Sequence, residues 1–318
     1  MTITFTSGIS FSGGFTFTPP PPPPENTAAW FGGGGEGSGP PGAVSRVDRI
    51  TYATDTATAS VRGPLSVSKF NLAAAGNYTD AWFGGGGPSA ISTVNRITYA
   101  TDTATASVRG PLSLSIFGIA ATGNSDYGWF GGGYSPGVAF LSRVNRITYA
   151  TDTATASVRG SLSASFYGMA AAGNTTDGWF GSGGPGGSTV NRITYATDTA
   201  TASVRGPLSS AKYGVAATGN TTDGWFGGGY TGVFISTVDR ITYATDTATA
   251  SVRGPLSLAR QRLAAAGNTT NGWFGGGSGG GVRSTVDRIT YATDTATASV
   301  RGPLSGVRYR LAAASGIQ

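Results

Sequence analysis

Arg96-Ile97-Thr98-Tyr99-Ala100-Thr101-Asp102-Thr103-Ala104-Thr105-Ala106-Ser107-Val108-Arg109-Gly110 occurs six times in this chain without a substitution. Its tyrosine falls at Tyr52, Tyr99, Tyr149, Tyr195, Tyr243 and Tyr291. A second mark, Trp-Phe-Gly, keeps the same beat at Trp30, Trp82, Trp129, Trp179, Trp225 and Trp273. A fixed period of roughly 48 residues means a propeller, a solenoid or an array.

The unit reads as strands. Thr, Val, Ile and Tyr suit a pleated, half-buried surface. Ile97 and Tyr99 share one face of a first strand, with Thr98 on the other. Thr101 to Ala104 supply a turn, because short polar side chains bond their own backbone there. Ala104, Ala106 and Val108 then share one face of a second strand, which Gly110-Pro111 ends, since proline has no ladder donor. Ile119 to Ala121 and Trp129-Phe130 give two more strands on either side of the Gly123–Gly128 turn. Four short antiparallel strands per unit, with no helical period, predict one propeller blade. In chain order these are strand a (Ile119 to Ala121), b (Gly128 to Gly131), c (Val144 to Thr151) and d (Ala154 to Arg159). Strand a, rich in alanine, should line the crowded axis, and Trp, Phe and Tyr of b and c should fill the gaps between blades.

The chain enters the array part-way through a unit, at Ala28-Ala29-Trp30-Phe31, and leaves at Arg310-Leu311-Ala312-Ala313-Ala314. Each end carries the strand that the other lacks. Pairing Arg308 to Ala314 with Ala29 to Phe31 completes a sixth blade and removes two open sheet edges. The expectation is an all-β, closed ring of six four-stranded blades over residues 28–318.

Two segments precede it. Residues 1–18 alternate Ile3, Phe5, Ile9, Phe11, Phe15 and Phe17 with polar residues, broken by Gly8 and Gly13-Gly14. So small a sheet cannot bury its phenylalanines alone: it either folds back on the propeller or, the favoured expectation, is a docking arm completed by strand addition to another subunit. Residues 19–27 open with Pro19 to Pro24, a polyproline II spacer of roughly 19 Å.

Composition narrows the function. Charged residues make up 11% of the 318, against ~25% in an average domain. The net charge of +6 comes almost wholly from arginine, with lysine only at Lys69 and Lys212. Most arginines stand at fixed positions in the repeat along with a fixed aspartate, as in Asp102 and Arg109 or Asp198 and Arg205, and read as hydrogen-bonding struts rather than a nucleic-acid patch. Without cysteine or histidine the chain lacks thiol chemistry and the commonest general base and metal ligand. The acids outside repeat positions, Glu25, Glu36 and Asp126, form no carboxylate pair of the kind glycoside hydrolysis uses. The Gly173–Gly178 turn carries calcium-type oxygens but too few carboxylates; an Asx turn needs only what is present. The glycine runs at Gly84 to Gly87 and Gly275 to Gly281 lead into no helix and are not phosphate cradles. No stretch is long and apolar enough to span a membrane, and the N-terminus lacks a secretory pattern. The expectation is a protein that is not an enzyme and carries no cofactor, catalytic residue or metal.

The repeat resembles the kelch type of β-propeller. Trp129-Phe130-Gly131-Gly132, then Ile147-Thr148-Tyr149, then Ala154 to Gly160 follow that pattern, although Ala156 or Ser157 stands where a tryptophan is usual. The near-perfect Thr-Asp-Thr-Ala-Thr-Ala-Ser-Val-Arg-Gly-Pro-Leu-Ser repeat, with the Gly/Phe/Thr-rich N-terminus and proline run, is similar to structural proteins of marine tailed phages, cyanophages especially. That resemblance implies a virion protein, made in the host cytoplasm and carried on an extracellular particle as a tail-fibre, baseplate or capsid-fibre module. Residues 1–18 would then meet other virion proteins, and a homo-oligomer in the particle is compatible with this.

Variation is concentrated in two segments per unit, the b–c loop and the d–a connection, and the a–b and c–d turns are nearly identical throughout. Antiparallel strands alternate direction, so both emerge on one rim and the uniform a–b and c–d turns on the other. Loops on a rigid scaffold are where binding sits. The candidate partner-binding face is Lys69, Phe70, Tyr134, Phe140, Phe166, Tyr167, Lys212, Tyr213, Tyr230, Phe234, Arg260 and Arg262, for a host-surface glycan or a protein. A lectin-like or glycan-active propeller and a general protein-interaction scaffold are the alternatives.

Overall fold

A computed structural model describes residues 27–37, 42–184 and 187–316. The arm of residues 1–18 and the proline run lie outside the described residues. The rest is a six-bladed β-propeller of four-stranded antiparallel sheets. Blade 2 shows the pattern: a is Ala120–Gly123, b Tyr127–Gly131, c Val144–Thr148 and d Ser157–Arg159. Blade 1 runs from Ala73 to Arg109, blade 3 from Ala170 to Arg205, blade 4 from Ala216 to Arg253 and blade 5 from Ala264 to Arg301.

Blade 6 is built from both ends of the array. Ala312–Ala314 pairs antiparallel with Ala28–Gly32, placing Trp30 opposite Ala314 and Phe31 opposite Ala313. Val47–Thr51 and Ser60–Arg62 complete it. The expected closure is therefore present, and blade 6 has the same a-b-c-d strand order as the other five.

Strands c and d are shorter than the sequence suggests. Strand c stops at Thr148, and Tyr149–Thr151 is a 3-10 turn capped by Asp152. Strand d starts at Ser157 instead of Ala154. The missing ladder bonds go to the neighbouring blade: the Ala106 N–H donates to Pro64 O at 2.8 Å and the Gly63 N–H to Asp102 O at 2.8 Å. Val108 consequently faces solvent at 60% exposure while Ala106 is buried, so the two do not share a core face.

The hydrophobic core is divided among the six gaps between blades. In the gap between blades 2 and 3, Trp129 and Val144 pack with Leu162, Met169, Phe180 and Tyr195. Trp129 stacks on Tyr195 of the next blade, ring centroids 3.8 Å apart and planes 5° apart. Its indole N–H donates to Asp198 at 2.8 Å. Arg146 reaches the same carboxylate oxygen at 3.0 Å and Arg159 approaches it at 3.6 Å. This joint recurs around the ring and closes it: Trp273, Arg288 and Arg301 of blade 5 meet Asp55 of blade 6. The expected arginine–aspartate struts exist, but with a different pairing. Arg109 pairs with Asp152 and Arg205 with Asp246, each in the following blade, not with the aspartate of its own unit.

The Trp-Phe-Gly mark has a second half. A Cβ on Gly131 would fall against the ring of Phe180, and one on Gly84 against Phe130. Glycine there leaves room for the phenylalanine of the next blade, so all three residues of the motif act at the joint.

Candidate functional site

The b–c loops and d–a connections touch one another on a single rim. Bridges link Phe117 with Tyr134, Leu141 with Phe166, Tyr213 with Tyr230, and Gln261 with Ser278. The opposite rim carries the a–b and c–d turns. There the Asn174 side-chain oxygen accepts the N–H groups of Thr176 and Asp177, both at 2.9 Å, an Asx turn of the expected kind. Thr27 also lies on this turn-bearing rim, its carbonyl accepting from the Tyr52 N–H as Thr79 does from Tyr99.

Five of the twelve residues expected to face a partner do not. Lys69, Lys212 and Arg260 have 0% exposure, and Phe70 and Phe166 are also buried. The cations sit beneath the loops and tie them to strand c of their own blade. The Lys212 ammonium lies 3.0 Å from Asp239, and the Arg260 guanidinium donates to Asp287 at 2.8 Å and to Phe274 O at 3.0 Å. Arg308 does the same at Asp48, at 2.6 Å. Blades 2 and 3 place Ile116 and Phe166 at this position, and the facing strand carries Asn145 and Asn191 in place of aspartate. A buried cation thus comes with a carboxylate, and an apolar residue with an amide, as desolvation requires.

Blade 1 breaks the pattern. Lys69 faces Asn95, and among the described residues its ammonium donates only to Phe83 O at 2.9 Å and Thr93 O at 3.2 Å. Burial lowers its pKa from 10.5 to about 7. Lys212 is also pushed down by burial, but Asp239 pulls in the opposite direction. The Val-Asp-Arg and Val-Asn-Arg variants of strand c were the sequence signal for this pairing.

The remaining expected residues do reach the rim surface. Tyr134 and Phe140 come from the blade 2 loop and Tyr167 from the connection into blade 3. With Phe117, which the sequence reading missed, they form a four-ring cluster whose centroids lie 5.3 Å (Phe117–Tyr134), 5.5 Å (Tyr134–Phe140), 6.0 Å (Phe140–Tyr167) and 6.1 Å (Phe117–Tyr167) apart. Phe140 is 48% exposed. In blade 4, Tyr230 packs against Tyr213 at 5.5 Å and Phe234 at 5.4 Å. Arg262 lies at the axis, where the structure also places Asn71 and Arg310.

That axial end is closed by a ring of backbone hydrogen bonds. The Gly118 N–H donates to Asn71 O, Gly168 to Gly118, Gly214 to Gly168, Arg262 to Gly214, Arg310 to Arg262, and Asn71 back to Arg310, at 2.6–3.0 Å. All six residues have φ between 55° and 69°, the left-handed region that glycine occupies freely and other residues rarely. Below it runs an alanine-lined axial channel that opens at the other rim into a cavity of about 120 Å³.

No protein-family model and no curated protein matches this chain. Among the described residues no helix is long and apolar enough to cross a membrane.

Proposed function

We propose that this protein is a non-enzymatic binding module that engages a protein or a host-surface partner through its loop-bearing rim. The observation that carries the reading is the one-sidedness of the ring. Blade joints and turns repeat almost without change, whereas the b–c loops and d–a connections differ in every blade and cluster partly exposed aromatic rings. Rigid aromatic side chains give large contact area at small entropic cost, which makes them good anchors. The repeated aspartates, which a hydrolase would need free, are each held by a tryptophan and two arginines of the preceding blade.

The kelch-like pattern and the phage-like N-terminus support a finer reading: a component of a tailed-phage particle, anchored by residues 1–18, with the loop-bearing rim directed outward. Thr27 on the opposite rim is consistent with that polarity. The test is a particle-incorporation assay with the full chain, a chain lacking residues 1–24, and a Tyr134→Ser/Phe140→Ser/Tyr167→Ser chain. The arm deletion should be lost from particles, and the serine chain should be incorporated normally but bind the outer partner at least tenfold more weakly. Full partner binding by the serine chain would refute the assigned face. Incorporation without the arm would refute the anchor.

A further inference from the structure

The axial mouth of the loop-bearing rim combines three features that blade packing does not need. First, three of the six residues of its left-handed ring are glycine, and two of the others are arginine: Arg262 (φ 56°) and Arg310 (φ 58°). Gly118, Gly168 and Gly214 make the same backbone hydrogen bonds without strain, so the ring itself does not call for arginine. Second, the two arginines are neighbours, the Arg310 N–H donating to Arg262 O at 2.7 Å. Like charges in adjacent blades repel. Burial and then the Arg262 charge hold the Arg310 pKa below its ordinary value. Third, neither has an acidic partner among the described residues. Arg262 makes no side-chain hydrogen bond, ion pair or ring contact with them. The Arg310 guanidinium lies over the rings of Phe70 and Tyr309, at 5.4 and 5.2 Å. Every other arginine of the blade joints meets a carboxylate of the next blade.

We propose that Arg262 and Arg310 form an oxyanion-binding site at the axial mouth, taking a carboxylate, sulfate or phosphate group. The mouth is a cavity of about 70 Å³ lined by the two arginines, Asn71 and the apolar residues that follow each ring position, with no acidic side chain. That is room for roughly five water-sized occupants, the scale of one oxyanion group. Guanidinium groups suit the task because their donors match paired oxygens in a plane. An anion between them would neutralise the repulsion and accept from guanidinium N–H groups that no carboxylate among the described residues meets. Tyr167, whose ring lies over Gly118, borders the same mouth and carries the aromatic cluster up to its edge. An acidic group on a larger ligand could therefore enter the axis while the rest lies across the rings.

The site lies on the face proposed to meet a partner, but it stands on the arginine geometry alone. The test titrates the full chain with sodium sulfate, sodium phosphate and sodium glucuronate against sodium chloride at fixed ionic strength, read by calorimetry and thermal melting. The wild type should bind at least one of the three saturably and melt at a higher temperature in its presence. Preference for glucuronate by tenfold or more would identify an acidic sugar as the source, and equal affinities would identify any oxyanion. The Arg262→Gly/Arg310→Gly variant restores the residue that three blades already carry. It should melt as high as the wild type or higher while losing affinity at least tenfold. Arg283→Ser, which removes an exposed arginine on the same rim, should leave affinity unchanged. The site is overturned if the wild type responds no more than it does to chloride. It is equally overturned if the glycine variant keeps its affinity or Arg283→Ser weakens binding as much. Normal partner binding by the glycine variant would sink the site's role in that contact while leaving the proposed face intact.

Discussion

The blade joints and the loop-bearing rim are made by one chain under opposite constraints. At a joint, buried residues of one unit meet different residues of the next copy: Trp129 meets Tyr195 and Asp198, Gly131 meets Phe180, and Gly63 meets the turn at Ala104. A ring uses the same joint six times, so a change on one side of it requires a matching change on the other. On the rim, Tyr134, Tyr230 and Ser278 stand at related places and need only fit their own loops. The rule of matched partners nevertheless reaches beneath the rim, where lysine or arginine is accompanied by aspartate, and isoleucine or phenylalanine by asparagine. At the joints, uniformity therefore goes with contact between copies.

The largest break in this contrast should come from a single joint. Asp198→Ala would leave the Trp129 indole N–H and the Arg146 guanidinium without their acceptor in a site where Asp198 is 6% exposed. Removing one partner of a buried charge network costs about 3–5 kcal/mol. A drop of that size should appear in the denaturation midpoint, whereas Phe140→Ser on the rim should stay within about 0.5 kcal/mol. Equal effects of the two would show that the joint aspartates are not what holds the blades together.

A smaller effect should come from the mismatch at Lys69. Folding lowers its pKa from 10.5 to about 7, so between those values the unfolded chain keeps a proton that the folded chain has released. Stability should rise with pH across that window. Below about pH 7 both states hold the proton and the burial penalty is present in full. Asn95→Asp supplies the carboxylate that Lys212 and Arg260 already have. It should flatten the rise and add on the order of 2 kcal/mol at pH 7. Urea denaturation from pH 6 to 10 would measure both. A wild-type profile that stays level through pH 7–10 would mean that Lys69 is not a stranded charge.

The smallest effect concerns the tyrosines of the joints. Thr122 meets the Tyr195 hydroxyl at 3.3 Å and Thr218 the Tyr291 hydroxyl at 3.4 Å. Where alanine replaces that threonine, the buried hydroxyls of Tyr99, Tyr149 and Tyr243 have no hydrogen-bond partner. Burial is the first cause of the raised pKa of all three. Ala172→Thr should give Tyr243 a partner and add about 1 kcal/mol. Ala314→Thr should not help Tyr99. Thr122 and Thr218 fit because Gly178 and Gly272 face their methyl groups, and Ala81 stands at the corresponding place in blade 1. Thermal melting of the two variants should move in opposite directions; matching gains would show that the glycine is not needed.

Much of the ring was legible from the sequence. The period, the four-strand unit and the complementary half-blades at Ala28 and Ala314 each show in the residues themselves. Strand ends were less legible, because Tyr149 to Thr151 has strand-like composition and turns only to deliver Asp152 and the Ala156 N–H to the preceding blade. The site was half legible. Loop variation located the rim and the exposed rings of Tyr134, Phe140 and Tyr230. The same variation also drew in Lys69, Lys212 and Arg260, whose charge suggests a surface and whose burial depends on a partner about 27 residues away in sequence. Phe117 and Arg310 escaped notice because each is a single variable residue beside others, significant only once the ring closes around them.

The sequence by itself determined that this chain is a ring of six like blades, because hydrophobic periodicity and an exact repeat are local and countable. Only the tertiary structure decided which residue answers which. Arg109 and Asp102 lie seven residues apart and do not pair, since each strand d leans on the turn of the following blade. Arg262 and Arg310 lie a full unit apart and become neighbours at the axis. Closure of a ring brings together residues separated by one period, and no reading along the chain specifies the rotation that relates one blade to the next.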